Sequence, residues 1–211
     1  MLTKGATGLG VELPAQAIER FLLYMKELKA WNRRINLTAI DDDSAIITRH
    51  FLDSLLPAPY LKDATTLLDI GAGAGFPGIP LKIAMPGLNV TLVDSVTKKV
   101  MFMRHVCRTL GLGKDIEAVS ARVEDKAVLA KYGASFDAVI SRAFSGLGAF
   151  LEAAMPYVRP GGLIIAMKGP RAGEELAEAA GVKGVGQPEP HEAAVPFTGR
   201  RTTLVIFRKE A

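Results

Sequence analysis

The chain is poor in the residues that disulfides and metal sites require. Its 211 residues include one cysteine, Cys107, and three histidines. A single cysteine excludes an intrachain disulfide and a multi-cysteine metal site, and three scattered histidines do not indicate a zinc site. No apolar run approaches the roughly 20 residues that span a bilayer, and the N-terminus lacks a charged segment followed by an apolar core. We therefore expect a cytoplasmic protein with no bound metal and no membrane contact.

The composition fits one domain and leaves the partner open. Hydrophobic residues make up 49% of the chain, which is enough for one substantial core at this length. The net charge of +4 is compatible with a polyanionic partner such as a nucleic acid, but many other enzymes carry a similar charge. No coiled-coil seam is present in the sequence, so the expected oligomeric state is a monomer.

The most informative segment is the sequence TTLLDIGAGAGFPG at residues 65–78. Its apolar run ends in Asp69 and is followed by alternating glycines, which is typical of a buried parallel strand that leads into a small-molecule site. Glycine allows a sharp turn and a close approach of the backbone to a ligand. Residues 77–85 follow as a predicted helix, whose free N-terminal amides would point at that ligand.

Two cofactors compete for this glycine loop. The pattern Gly73-x-Gly75-x-x-Gly78 matches the dinucleotide fingerprint, so an NAD-dependent oxidoreductase is one alternative. In dinucleotide enzymes, however, the first glycine directly follows the strand. Counted from Gly71, the third glycine position holds Phe76, and the fingerprint fails in that register.

Two acids favour a different cofactor. Asp69 would be poorly placed beside a pyrophosphate, but it would suit a cationic ligand with an amino group, such as a methionine-derived sulfonium. Asp94 ends a second predicted strand, where its carboxylate could accept hydrogen bonds from ribose hydroxyls, as in NAD enzymes. A third predicted strand, residues 116–120, is followed by Val123 and Glu124, which would lie near an adenine. The three strand ends fit a nucleoside across the carboxyl edge of a parallel sheet.

The rest of the chain alternates between predicted helices and strands. An amphipathic helix starts near Pro14, and a second helix runs from Ser44, a possible N-cap, to about Leu56. The buried face of the first helix is predicted to contain Ile18, Phe21, Leu22, Met25, Leu28, Trp31 and Ile35. The alternation that follows implies right-handed crossovers and a mainly parallel sheet. Residues 181–190 and a strand at 202–207 predict a late hairpin around a longer loop.

The predicted helix after Asp94 carries a basic face. On a helical wheel, its cationic side chains lie opposite the apolar ones. These cationic residues are Lys98, Arg104, His105 and Arg108. The face is either a stripe that contacts phosphates or an ordinary solvated helix surface.

Ordered motifs along nearly the whole chain resemble one family. Residues 69–80, DIGAGAGFPGIP, look like the cofactor loop of the bacterial small-subunit ribosomal RNA guanine-N7 methyltransferases, the glucose-inhibited division protein B family. The further matching segments are Trp31-Asn32, Asn36-Leu37-Thr38, Arg49-His50-Phe51-Leu52-Asp53-Ser54, Arg122-Val123-Glu124, Ile140-Ser141-Arg142-Ala143 and Met167-Lys168-Gly169. The loop alone would indicate only a methyltransferase, whereas the ordered set indicates this family.

The resemblance implies a fold, a cofactor and a substrate. The fold is α/β, the class I Rossmann-like methyltransferase fold, with a mainly parallel seven-stranded sheet, an antiparallel terminal strand and an N-terminal helical cap. Residues 1–63 would form the helical extension, and residues 64–211 the S-adenosylmethionine-dependent methyltransferase domain. The implied reaction is methylation of a guanine N7 in 16S rRNA, either as RNA or within the small ribosomal subunit. A ribosome-associated RNA-binding protein without transfer activity is a further alternative.

The candidate residues divide into a cofactor set and an RNA set. The cofactor set is Asp69, Gly71, Gly73, Phe76, Asp94, Val123, Glu124 and Arg142. The RNA set is Arg49, His50, Lys168, Arg200 and Arg201. Guanine N7 already has a free lone pair, so the transfer needs alignment and a suitable electrostatic environment rather than a base. Arg142 and Lys168, each at the end of a predicted strand, are therefore the catalytic candidates in a positioning role.

Several candidates also have purely structural interpretations. Asp69 would either hold the methionine amino group, directly or through water, or brace the glycine loop. Arg142 would reach the cofactor or a phosphate, or form an ion pair that fixes its own loop. His50 would contact RNA or pack as a hydrogen-bonded histidine. Arg49 could pair with Asp53 one helical turn later. Glu124 would either hold the adenine or supply negative charge at a helix N-terminus.

Overall fold

The computed structural model describes residues 1–142, 144–169, 172–179 and 182–210. The strands are β1 (Thr66–Ile70), β2 (Asn89–Asp94), β3 (Ile116–Ser120), β4 (Phe136–Arg142), β5 (Val158–Lys168), β6 (Glu189–Ala194) and β7 (Arg201–Arg208). The helices are α1 (Leu2–Gly8), α2 (Ala15–Ile35), α3 (Asp43–Ile46), α4 (Asp53–Leu55), α5 (Gly78–Ala84), α6 (Thr97–Thr109), α7 (Lys126–Tyr132), α8 (Leu147–Ala154) and α9 (Ala172–Ala179). A π-helical segment, Ile47–Leu52, joins α3 to α4. Over these described ranges, no helix combines the length and the apolar character needed to cross a membrane.

All seven strands belong to one sheet, in the order β3-β2-β1-β4-β5-β7-β6. The first five strands in this order, β3, β2, β1, β4 and β5, are parallel to one another. Strand β7 is antiparallel to both of its neighbours, β5 and β6. The predicted α/β class I methyltransferase fold is therefore confirmed. Because the parallel strands point the same way, their carboxyl ends meet at one edge of the sheet. The residues at these ends are Ile70, Asp94, Ser120, Arg142 and Lys168.

The predicted late hairpin forms between β6 and β7. Its connection spans residues 195–200, because residues 189–194 already belong to β6. Gly181, where the predicted loop began, lies outside the described residues, as does Ala143 of the motif at the end of β4. The hairpin brings the start of β7 to the edge of the sheet where β5 ends, since Thr203 pairs with Lys168.

Apolar residues on both faces of the sheet form two layers of core. Successive side chains of a strand point to opposite faces, so Leu67 packs in one layer and Leu68 in the other. The layer that contains Leu67 also contains Phe21 and Tyr24 of α2 and Phe51 of the π-helical segment. The N-terminal helices thus share a core with one face of the sheet.

The buried face of α2 differs from the predicted one by a rotation. Its buried residues are Ala17, Phe21, Tyr24 and Leu28, which follow the spacing of three and four residues. The prediction that Leu22 is buried is wrong, because this side chain is 51% exposed. Leu22 lies about 100° around the helix from Phe21 and turns toward solvent.

The helix that follows begins with Asp42 rather than Ser44 as its N-cap. The Asp42 carboxylate accepts hydrogen bonds from the backbone amide of Ala45 at 2.8 Å and from the Ser44 hydroxyl at 2.6 Å. Ser44 therefore lies inside α3 and supports the cap, so the predicted capping residue is wrong by two positions.

Candidate functional site

The glycine loop between β1 and α5 turns tightly at the edge where the strands end. Gly71, Gly73 and Gly75 have φ values of 70°, 60° and 95°, a conformation that glycine adopts without strain. A Cβ atom at Gly71 would meet no heavy atom within 4 Å, and one at Gly73 would meet only a backbone oxygen at 3.9 Å. Open space therefore lies directly against this part of the backbone, where a ligand would fit.

Two buried side chains hold the glycine loop from below. The Tyr24 hydroxyl donates to the carbonyl of Ala74 at 2.5 Å, and Asp69 Oδ2 accepts from the Gly78 amide at 2.8 Å. Asp69 is completely buried, and its Oδ1 has no hydrogen-bond partner in the described chain. Burial raises the pKa of Asp69 to about 7, against the opposing effects of the Gly78 hydrogen bond and the charge of Arg142. The structure places Asp69 behind the loop, in contact with the helix that follows it.

Asp69 is expected to make the stability of the protein depend on pH. Its pKa is about 7 when folded and about 4 when unfolded, so the folded state binds the extra proton between these values. The contribution of Asp69 to the free energy of unfolding should therefore fall as pH rises from 4 to 7, by on the order of 4 kcal/mol at most. His50, whose pKa is lowered, contributes in the opposite direction over part of this range, so the test compares variants rather than the wild-type slope alone. In urea unfolding from pH 4 to 8, the stability of the wild type should fall relative to that of Asp69→Asn as pH rises. The exposed Asp63→Asn variant should follow the wild type, and parallel curves for the wild type and Asp69→Asn would contradict the prediction.

A cavity of about 360 Å³, the strand-end cavity, opens above the ends of β1 and β2. The candidate residues in its wall are Gly71, Asp94, Val123 and Glu124. Asp94 Oδ2 accepts from the Gly73 amide at 2.9 Å, and Oδ1 accepts from the Val96 amide at 2.8 Å. Each carboxylate oxygen has a second lone pair for a ligand. Val123 is buried, and Glu124 is exposed.

A second cavity of about 510 Å³, the basic cavity, adjoins the first, since Phe144 lines both. All five residues of the predicted RNA set are in its wall, namely Arg49, His50, Lys168, Arg200 and Arg201. Arg142 is a further cation there, and the acids are Asp53 and Glu175. The excess of cations over acids suits a polyanionic ligand.

Arg142 lies between the glycine loop and the basic cavity. It lines the basic cavity and also a space of about 270 Å³ against the loop, the loop cavity. Its Nη1 donates to the Arg49 carbonyl at 3.2 Å and lies 3.3 Å from Asp53 Oδ2. Its guanidinium carbon is 5.0 Å from the centre of the Phe76 ring. The ion pair with Asp53 and the contact with the Phe76 ring fix Arg142 between the loop cavity and the basic cavity.

The predicted pair between Arg49 and Asp53 is not formed. The π-helical segment between them widens the helical turn, so residues four apart no longer lie one above the other. Asp53 turns instead to Arg142, and its other oxygen accepts the Thr202 hydroxyl at 2.5 Å. The Asp53 carboxylate thereby links the N-terminal helices to the last residue of β4 and to the start of β7.

His50 is a neutral, packed ring in the wall of the basic cavity. Its ring stacks on Phe76 with centroids 4.6 Å apart, and burial together with the charges of Arg142 and Arg49 lowers its pKa to about 3. Arg142 Nη2 lies 3.3 Å from His50 Nδ1. A guanidinium can only donate, so Nδ1 accepts and Nε2 carries the proton that it donates to Thr38 Oγ1 at 2.8 Å.

Lys168 is a buried cation that already has partners. Its Nζ donates to the Phe144 carbonyl at 2.9 Å and to Glu175 Oε2 at 2.6 Å, and the residue is only 7% exposed. The contact with Phe144 ties Lys168 to the residue that lines both cavities. Glu175 on α9 neutralises the ammonium in the free protein.

Comparisons with known proteins agree with this geometry. Residues 17–195 match the family model described as rRNA small subunit methyltransferase G. Proteins of that name from Acetivibrio thermocellus and Geotalea uraniireducens are 41% and 44% identical to this chain. The matches cover 99% and 100% of this chain and 87% and 96% of the two relatives. The chain belongs to the rRNA small subunit methyltransferase G family.

The same fold occurs outside the rRNA small subunit methyltransferase G family. A crystal structure of a Klebsiella pneumoniae protein, provisionally assigned as an O-methyltransferase, superposes with a TM-score of 0.62. The two chains are 16% identical, over 89% of this chain and 90% of the other, so this likeness shows the fold alone. Membership in the family confirms the resemblance that the ordered motifs indicated, and it favours methyl transfer over the NAD alternative.

The basic face of α6 is only partly free in this family member. Arg104 Nε donates to the Ala118 carbonyl at 2.9 Å, and His105 Nε2 lies 2.7 Å from a carboxylate oxygen of Glu27. The other two members of the face, Lys98 and Arg108, are exposed. Only two of the four side chains are therefore free to contact phosphates, and the face is not a continuous basic stripe.

Three residues at the site of this family member were not predicted from the sequence, and a fourth, Asp53, was expected to pair with Arg49 rather than with Arg142. Phe144 lines both large cavities, Lys99 lines the strand-end and loop cavities, Tyr24 supports the glycine loop, and Asp53 holds Arg142. Lys99 belongs to α6, and nothing in the sequence distinguishes it from the adjacent Lys98. The other three carry no local signal, because their partners are distant in sequence.

Proposed function

We propose that this protein transfers a methyl group from S-adenosylmethionine to N7 of a guanine in 16S rRNA. The observation that carries the proposal is the junction of the strand-end and basic cavities at Phe144, beside Arg142. The first cavity has a carboxylate at a strand end, as a nucleoside requires, and the second is rich in cations, as RNA requires. Membership in the rRNA small subunit methyltransferase G family supports the same reaction.

The strand-end cavity offers groups that match each part of the adenosyl moiety. The free lone pairs of Asp94 accept from ribose hydroxyls, as at other strand ends that bind nucleosides. Val123 supplies an apolar surface for the adenine, and the neighbouring Glu124 carboxylate can accept its amino group.

The glycine loop offers room for the methionine part of the same molecule. Open space over Gly71 and Gly73 lets the methionine atoms approach the backbone. Phe76 supports the loop by packing between Tyr24 and His50. Asp69 contributes from below, by fixing the start of α5 through the Gly78 amide.

The reaction itself demands placement more than proton transfer. When bound, S-adenosylmethionine supplies an electrophilic methyl group, and the guanine N7 lone pair forms the new N–C bond as the methyl–sulfur bond breaks, leaving S-adenosylhomocysteine and a cationic base. Arg142 and Lys168 position the guanine and its phosphate at the junction, and Lys168 exchanges Glu175 for RNA. The carboxylates of Glu175 and Asp53 favour the positive charge that develops on the base.

Methyl transfer from tritiated S-adenosylmethionine tests the proposal directly. The acceptors are 16S rRNA and small subunits from cells that lack the protein, and mass spectrometry of the digested RNA identifies the methylated nucleoside. We expect 7-methylguanosine at a single position. No incorporation into either acceptor would favour a binding protein without transfer activity. Calorimetric binding of NADH but not of S-adenosylmethionine would favour an oxidoreductase.

We also propose that the protein acts as a monomer, with residues 1–63 as a helical extension of the methyltransferase domain in residues 64–211. All seven strands lie after residue 64, the helices before it share a core with one face of the sheet, and the sequence contains no coiled-coil seam. Light scattering coupled to size-exclusion chromatography should give one chain per particle. A dimer that persists under dilution would contradict this part of the proposal.

Arg200 is expected to contribute to the salt dependence of RNA binding. It is exposed at the wall of the basic cavity, where it can contact a phosphate. Arg200→Gln should weaken RNA binding and reduce the magnitude of the slope of log K against log salt concentration by about 1. Filter binding from low to moderate salt measures this slope. Lys114→Gln removes an exposed cation outside the cavity wall and should leave the slope unchanged, and an equal change in both variants would contradict the assignment.

A further inference from the structure

An aromatic side chain stands in solvent at the tip of the β6–β7 hairpin. Phe197 is 58% exposed, and its φ of 63° lies in the left-handed region that non-glycine residues rarely adopt. Such a conformation costs roughly 1 kcal/mol or more and persists only where the surroundings enforce it. Backbone preference disfavours a phenylalanine at this position, and partial burial of one ring edge leaves most of the side chain exposed to solvent.

The turn that carries Phe197 is held by four hydrogen bonds, one of them from the Thr198 hydroxyl to the Val195 carbonyl at 2.9 Å. The Val195 amide donates to the Arg200 carbonyl at 3.0 Å, the Thr198 amide donates to the Val195 carbonyl at 3.2 Å, and the Arg200 amide donates to Thr198 Oγ1 at 3.1 Å. On one side the ring edge packs toward α1, where Cε2 lies 3.1 Å from the position of a Cβ at Gly5. The exposed ring is therefore presented by a braced turn rather than by a loose loop.

The same hairpin forms one wall of the basic cavity. Val195 before the tip and Arg200, Arg201 and Thr202 after it all line that cavity. Phe197 therefore lies in a turn whose two flanks line the cavity, three positions before Arg200. Arg201 pairs with Glu192 at 2.8 Å, whereas Arg200 has no ion-pair partner among the described residues. An exposed aromatic ring in the same turn as a guanidinium without an ion-pair partner is a combination with which proteins bind unpaired nucleotides.

We propose that Phe197 is a stacking platform for an unpaired RNA base next to the target guanine, with Arg200 on the adjoining phosphate. This inference rests on the proposed function, because it places the platform at the entrance for the same RNA. Stacking on this ring holds the flanking nucleotide while the target guanine enters the cavity. Every base has a flat aromatic face, so the platform contributes affinity more than sequence preference. The cationic surroundings favour RNA over an apolar protein segment as the occupant.

Three substitutions at Phe197 separate stacking from a structural role. Phe197→Ala retains the left-handed backbone but removes the ring, and it should weaken binding of a single-stranded 16S rRNA fragment about tenfold. Phe197→Trp should bind at least as tightly as the wild type. Phe197→Gly relieves the backbone strain, so its melting temperature should rise while its RNA affinity falls as in the alanine variant. Leu22→Ala removes an exposed apolar side chain of similar exposure on α2 and should change neither quantity.

The readouts distinguish this inference from the proposed function. RNA affinity is measured by filter binding, cofactor affinity by calorimetry, and methyl transfer by tritium incorporation; the alanine variant should bind S-adenosylmethionine like the wild type. Wild-type RNA affinity in Phe197→Ala would overturn the platform even if the enzyme is active. Normal affinity for the RNA fragment combined with weak binding to intact small subunits would also overturn it, in favour of a protein contact. Failure of the proposed function would appear instead as no methyl transfer by the wild type.

Discussion

Replacing Arg142 with alanine is expected to lower kcat/KM for methyl transfer by about 100-fold. Its guanidinium lies between the basic cavity and the loop cavity, where it would orient the target base toward the methyl donor. Arg142 contacts the Arg49 carbonyl, Asp53 and the ring of Phe76, and it lines both the basic and the loop cavity. Without it the target base would lose its orientation relative to the methyl donor. The measurement is single-turnover methyl transfer with small subunits in excess.

The Arg142→Ala substitution is also expected to lower the stability of the protein, and a control variant must separate this loss from the loss of rate. The Asp53 side chain is 12% exposed, and loss of Arg142 leaves its charge without the paired cation, at a cost of about 2 to 3 kcal/mol in the free energy of unfolding. The double variant Arg142→Ala with Asp53→Asn should recover most of this stability, because the amide can still accept the Thr202 hydroxyl. It should not recover the rate. If stability and rate recover together, Arg142 is a structural residue only.

Replacing Gly75 with alanine is expected to lower the free energy of unfolding by about 3 kcal/mol, or the melting temperature by roughly 6 to 12 °C. Two costs add at this position. The φ of 95° is unfavourable for alanine, and the new Cβ would overlap Ile79 Cδ1 and lie 2.9 Å from the Tyr24 hydroxyl. Because Tyr24 holds the Ala74 carbonyl, the shift should also distort the loop and weaken S-adenosylmethionine binding at least about tenfold.

Gly87→Ala is the matched control for this prediction. A Cβ at Gly87 would meet no heavy atom within 4 Å, and its backbone φ is not positive. This variant should keep the wild-type melting temperature and cofactor affinity. Adding Ile79→Val to Gly75→Ala should recover part of the lost stability by relieving the overlap. Wild-type cofactor affinity in Gly75→Ala would show that the loop tolerates displacement and that its close packing has no part in binding.

The sequence predicted most of the sheet and much of its functional edge. A buried strand that ends in an acid is typical of a ligand-binding edge of a parallel sheet. The positions of β1, β2 and their carboxylates were therefore predicted from the apolar runs and from the acids near their ends. The RNA set was placed largely by the family resemblance, and the structure brings all five of its members to one cavity. Their roles in RNA binding stay predictions, of which the Arg200→Gln variant tests one.

The errors and omissions come from geometry that a local pattern does not contain. Leu22 fits an apolar helical stripe, but the docking angle of α2 turns it to solvent. A π-helical turn has no sequence signature here, so Arg49 and Asp53 were placed on one helical face. The contact of Asp53 with Arg142 joins residues 89 positions apart. Only the tertiary fold brings such partners together.

The hydrogen bond from Tyr24 to Ala74 bears on where this chain can be divided. A shortened chain of residues 64–211 would keep every glycine of the loop, yet it would lack Tyr24 beneath the loop and the His50 ring that stacks on Phe76. We therefore expect that residues 64–211 alone do not keep the shape of the glycine loop. For protein engineering, we expect the smallest unit that binds the methyl donor to include the N-terminal helices, and a substitution in α2 to impair methyl transfer without contacting either substrate.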